Sequence, residues 1–233
     1  MRKEALLLLL VFGWGSAQGA ATLDLYESSD LLSPLGQFQT IATAETGASH
    51  YAYSSASGHP SGVSLSPLSS NLWVHENTMT GEYTFGFIFS QDNGVVTNEA
   101  SLLFRIVGSD SNVFVSQSDD PGEAVETLPG AFEGDYWYSN NTDGIAVSGI
   151  TGSNWTIIID SVDFGNVTNW NAAGGGGDIA LTLGNEYRIT LEGNTPSDAP
   201  VSGDISVIPV PGSLCVGAAG LLCVGWLRRR RHV

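Results

Sequence analysis

The chain has 233 residues, 29 of them Gly and only two Cys, with 8 Lys and Arg against 24 Asp and Glu. Two of the eight bases, Arg105 and Arg188, and 23 of the 24 acids lie between Glu4 and Leu227, so the stretch between the two ends carries a net −21. That length is one folded domain or two small ones, and a body so acidic repels phosphate backbones and anionic headgroups, which sets aside nucleic acid and direct binding to an anionic lipid surface.

Residues 1–21 have the three parts of a secretory signal peptide. Arg2 and Lys3 form the charged segment, Ala5 to Phe12 an unbroken apolar core, and Gly15 to Ala21 the small-residue run for cleavage. Cuts after Ala17, Gly19 or Ala21 all put small side chains at both recognition positions. The apolar core is too short to cross a bilayer, so the segment predicts export and removal by a signal peptidase.

Residues 22–192 carry a β pattern throughout. Strands are expected at Leu23 to Tyr26, Phe38 to Thr43 and Leu72 to Glu76. Tyr83, Phe85, Phe87 and Phe89 then alternate with Thr84, Gly86, Ile88 and Ser90, a period-two aromatic face. Asp92-Asn93-Gly94 supplies hairpin turn chemistry. Further strands follow at Ser101 to Val107, Asn112 to Ser116, Asp135 to Tyr138, Asn154 to Val162, Asp178 to Leu183 and Glu186 to Glu192. No window outside the termini shows a sustained helical repeat. About ten or eleven short strands with Gly, Asn, Asp and Ser turns predict an all-β fold, a single β-sandwich of jelly-roll-like or Ig-like type. Ala44 to Ser70, rich in Ser, Gly and Pro, is expected as a long surface loop or partly disordered. Tyr187 stands where immunoglobulin- and fibronectin-type sandwiches place a corner tyrosine, which would turn Tyr187, Ile189 and Leu191 to the core.

The body offers little chemistry. It holds no Cys and no Gly-x-Ser-x-Gly elbow, so an activated nucleophile is not indicated. His50 and His59 fall in the Ser-rich loop and are expected to be solvated. His75 and Glu76 are adjacent in a strand, which points them to opposite faces. Glu133-Gly134-Asp135 begins the Glu-x-Asp-x-x-Glu pattern of jelly-roll glucanases, but Tyr138 stands where the second Glu belongs. Tyr136-Trp137-Tyr138 is the candidate carbohydrate-binding site. With Trp137 inward, Tyr136 and Tyr138 would be exposed to stack on a sugar ring; the other arrangement packs the Tyr pair in the core and leaves Trp137 at the rim. No motif calls for a cofactor or a metal. Calcium is the one ion the turn carboxylates could take, from Asp119-Asp120, Asp160 with Asp163, or Asp178, though no Asp-x-Asp-x-Asp-Gly loop defines a site.

Residues 193–208 form a linker, and residues 209–233 are distinct again. Pro209-Val210-Pro211-Gly212 precedes an apolar run from Ser213 to Leu227, followed by Arg228, Arg229, Arg230 and Arg231. The run predicts one short transmembrane helix, with the Arg cluster holding the C-terminus in the cytoplasm. Cys215 and Cys223 lie inside it as small apolar filler. This layout of Pro-x-Pro turn, short Gly- and Leu-rich helix and terminal Arg cluster resembles the PEP-CTERM sorting signal of bacterial envelope proteins. Val210 occupies the position of that family's Glu. The resemblance implies recognition and removal of the tail by an exosortase, with the tail in the inner membrane before processing. The whole sequence therefore reads as an exported protein of the cell envelope or extracellular surface, with a structural or adhesive role. A carbohydrate-binding module that engages extracellular polysaccharide, calcium-dependent or not, is the second reading, and a hydrolase the third.

Overall fold

The computed structural model describes residues 19–52, 60–89, 98–118, 120–138 and 142–197, with the backbone alone for Asn98, Trp137 and Tyr138. Most of the signal segment, His59, Asp119, the Asp92-Asn93-Gly94 turn, the linker beyond residue 197 and the whole tail, including Pro209 to Gly212 and Arg228 to Arg231, lie outside the described residues.

The described chain is all-β, apart from one five-residue helix, and forms two sheets. Its strands are β1 (Thr22–Glu27), β2 (Gly36–Gln39), β3 (Ile41–Thr43), β4 (Ser69–Asn77), β5 (Glu82–Phe89), β6 (Asn98–Val107) and β7 (Phe114–Ser118). They continue with β8 (Ala124–Leu128), β9 (Ala131–Tyr138), β10 (Asp143–Ile150), β11 (Thr156–Asp163), β12 (Asn169–Ala173), β13 (Ile179–Leu181) and β14 (Tyr187–Leu191). The first sheet runs β2-β1-β14-β11-β6-β9-β8 and is antiparallel throughout. The second runs β13-β12-β4-β5-β10-β7. In it β12 and β3 both pair parallel with β4, at Ser69 to Trp73 and at His75 to Asn77 respectively.

One apolar core joins the two sheets. Leu23, Leu25, Phe104, Phe132, Ile157 and Ile189 of the first sheet belong to the same buried cluster as Leu72, Phe85, Phe87, Phe89, Val147 and Trp170 of the second. Aromatic pairs span the gap: Phe85 with Phe104 at 4.9 Å between centroids, Phe89 with Tyr136 at 5.1 Å, and Trp170 edge-on to Tyr187 at 5.0 Å. Such pairs contribute about 0.5–1.5 kcal/mol each beyond the area they bury. The expected aromatic face of β5 is this one. The Tyr187 hydroxyl accepts from the Thr182 amide at 2.9 Å, and Tyr187 and Ile189 are buried in the core with Leu191 packed against it.

Four expectations are corrected. The described parts of the segment 44–70, residues 44–52 and 60–70, are not a free surface loop. Thr46 caps α1 (Gly47–Tyr51) by accepting from Ser49 N, and the helix lies on the outer face of the second sheet. There Tyr51 and Val63, with Ile41 and Leu65 beside them, form a second apolar cluster on Trp73, Ile88, Ala146 and Ala173. Both faces of β4 are thereby buried. Secondly, the strands flanking Asp92-Asn93-Gly94 are not hairpin partners. β5 pairs with β4 and β10 while β6 pairs with β9 and β11, so the chain changes sheets between them. Thirdly, Phe38 to Thr43 is not one strand but breaks at Thr40 into β2 and β3, in different sheets. Lastly, the strands number fourteen among the described residues, because Phe38 to Thr43 divides in two and β8, β10 and β12 lie outside the expected set.

Candidate functional site

The two central histidines are buried, contrary to the solvated state expected of His50. His50 on α1 and His75 on β4 stack at 4.4 Å between ring centroids, at 2% and 0% exposure. Trp73 meets His50 edge-on at 5.4 Å. Thr43 Oγ1 lies 2.8 Å from His75 Nε2, while His75 Nδ1 and His50 Nε2 have no partner among the described residues. Burial pushes both imidazoles toward the neutral form. That of His75 falls to about 4, from burial first and the neighbouring His50 second. That of His50 is lowered by burial and partly held up by Glu45. Glu76 points the other way, as the alternation of β4 requires, and accepts from Thr40 Oγ1 and from Ala21 N. Buried between α1 and β4, the two stacked rings brace the helix against the second sheet.

Of the two arrangements open to Tyr136, the structure shows the buried one. It is 2% exposed, its ring packs on Phe89, and burial raises its phenol well above the usual value. It therefore cannot serve as an exposed stacking platform. The side chains of Trp137 and Tyr138 lie outside the described residues. On the other side of β9 from Tyr136, Asp135 pairs with Ser101 of β6, which pairs in turn with Asp163 of β11. These three and Glu99 line a shallow groove of about 360 Å³.

The carboxylates named for calcium are dispersed. Asp160 makes a bidentate ion pair with Arg105, at 2.6 Å and 2.7 Å, which holds the guanidinium charged and takes up both carboxylate oxygens. Asp163 accepts from Gly165 N in a turn. Asp178 is exposed. Among the described residues no group of three or more His, Cys, Asp or Glu is disposed to hold a metal ion.

One surface feature escaped the sequence reading. Ile106, Ser109, Asn112, Phe114, Glu126 and Pro129 help line an open groove of about 510 Å³ where β6, β7 and the β8–β9 turn meet. Phe114 is 52% exposed, with Val125 and Leu128 also exposed on β8. The ring lies against Gly149, whose positive φ of 88° keeps that position free of a side chain. Only strand pairing reveals this, because a lone Phe opening a short strand reads as core. Comparison with family models, with curated proteins and with solved structures finds no match to this chain.

Proposed function

We propose that the chain is an exported cell-envelope protein with a structural or adhesive role at the surface or in extracellular matrix. In this reading a β-sandwich of jelly-roll-like or Ig-like type is delivered by a cleaved signal peptide and sorted by an exosortase through residues 209–233. The observation that carries it is the meeting of the two ends of the body. β1 pairs with β14 from Leu23 opposite Leu191 onward, and Glu192 N donates to Thr22 O at 3.0 Å. The end released by signal peptidase and the end leading to the tail thus leave the body at one place, closed by strand pairing between them. A −21 stretch keeps such a body soluble and apart from anionic surfaces. Deleting residues 209–233 in the host tests the sorting role. The expected outcome is loss of the protein from the cell surface into the medium or periplasm; unchanged surface display would contradict it.

A carbohydrate-binding module is the second reading, and the groove beside Phe114 now favours it in place of Tyr136. A half-exposed ring flanked by Ser, Asn and Glu side chains matches the apolar face and hydroxyl edge of a neutral sugar. Thermal melting with and without calcium and with soluble neutral polysaccharides separates the readings. A bound ligand raises the Tm, and a shift abolished by Phe114→Ala would favour the module over a purely structural role.

A further inference from the structure

The sequence leaves three cleavage points for signal peptidase, after Ala17, Gly19 and Ala21, and the hydrogen bonds of Ala21 separate them. The Ala21 amide donates to Thr40 Oγ1 at 2.9 Å and to Glu76 Oε2 at 3.0 Å. The Ala21 carbonyl accepts from Thr40 N at 2.9 Å, and Thr40 Oγ1 itself donates to Glu76 Oε2 at 2.9 Å. Thr40 and Glu76 are 1% and 2% exposed. This is where the chain breaks between β2 and β3 to change sheets, so the three residues together hold the crossover. A chain beginning at Thr22 would leave the Thr40 amide without its acceptor and Glu76 with a single donor. Both are deep enough that water replaces the lost partners poorly, and buried polar groups left so are costly.

Glu76 also has no cation bonded to it among the described residues, where the one ion pair is Arg105 with Asp160. A free α-ammonium close by would supply that charge. The nitrogen of Ala20 is one peptide unit from that of Ala21, and hence within about 7 Å of Oε2 by covalent dimensions. That of Gln18 is two residues further along the chain, and the covalent bound on its distance from Oε2 is correspondingly looser. Gly19 is exposed, with nothing near the position a side chain would take, while Ala20 and Ala21 are half-buried.

We infer that the signal segment is removed at the Gly19–Ala20 bond, so that Ala21 stays within the folded body and the new terminal ammonium of Ala20 lies beside Glu76. The inference rests on the export reading above and assigns its processing site. Hydrolysis adds one water across the bond. The Gly19 carbonyl carbon takes the oxygen of the water and departs as the carboxylate of the released peptide, and the Ala20 nitrogen takes both of its protons and becomes the ammonium. The boundary between signal and body then falls two residues earlier than the 21/22 division expected from the sequence.

N-terminal sequencing and intact mass of the full-length gene product recovered from its own host test this directly. A first residue of Ala20 is expected. A first residue of Thr22 or Gln18 overturns the assignment while leaving export intact, whereas a chain still beginning at Met1 overturns the export reading and this inference together. A second readout comes from Glu76→Gln, which keeps the hydrogen-bond acceptor but removes the charge. In a chain that starts at Ala20, the terminal ammonium titrates at a lower pH in the variant than in the wild type. Identical titration in the two chains overturns the proximity of that ammonium to Glu76.

Discussion

At the scale of single residues, the stacked imidazoles of His50 and His75 make stability depend on pH in a defined direction. Both are lowered by burial, His75 from 6.5 to about 4, so the unfolded chain takes up its protons first as pH falls. Their contribution is complete above about pH 6.5 and is lost as pH drops toward 4, with His75 alone accounting for roughly 2–3 kcal/mol by pH 4.5. The carboxylates titrate nearby, so the wild type is compared with His50→Phe/His75→Phe, which keeps two stacked rings without charge. Urea midpoints at pH 7.5 and 4.5 should fall further in the wild type than in the double variant; equal falls would contradict the account. Arg105 and Asp160 supply a second test. Their bidentate bond is only 14% and 19% exposed, so Asp160→Asn should cost about 1–2 kcal/mol, more than a fully exposed pair contributes. A change within error of zero in the same urea titration would place the pair among inert surface contacts.

At the scale of elements, two positions show why the strands pack as they do. A side chain on Gly86 would overlap the Trp73 indole, which fills the outer face of the second sheet under α1. Gly86→Ala should therefore destabilise by about 1–3 kcal/mol through overpacking, even though β propensity alone favours the change; a neutral or raised Tm would contradict it. Tyr187→Phe removes the bond to Thr182 N and should cost about 1 kcal/mol, read from chemical denaturation. Tyr187 was legible from the sequence, as were β1, β5, β6, β11 and β14, because one of their faces is apolar at a period of two. β8 was not, since four of its five residues are exposed at an edge. β10 was hidden for the opposite reason: all eight residues are buried, between the core and the second cluster, so no alternation remains. The same cause concealed the cap. His50 and Tyr51 lie in a Ser- and Gly-rich stretch whose composition signals a loop, and only the apolar outer face of β4 and β5 gives them something to cover. The groove beside Phe114 arises where strands remote in sequence meet, which no local pattern records.

For the molecule as a whole, charge and connectivity set the behaviour. With 23 acids and two bases between Glu4 and Leu227, like charges oppose compaction. Raising NaCl from about 20 mM to about 300 mM should increase the Tm by a few °C through screening; a fall would mean that attraction between charges dominates. Strand pairing of β1 with β14, two inner strands of the first sheet, brings Thr22 and Glu192 together, which would suit the proposed handling of the body at a single place during export and sorting. The most direct test of that account is the C-terminal peptide of the protein recovered from its host's cell surface, read by mass spectrometry. Sorting by an exosortase predicts a chain that ends near Pro209. A surface-recovered chain that still carries Arg228 to Arg231 would contradict it and leave an ordinary membrane-anchored protein.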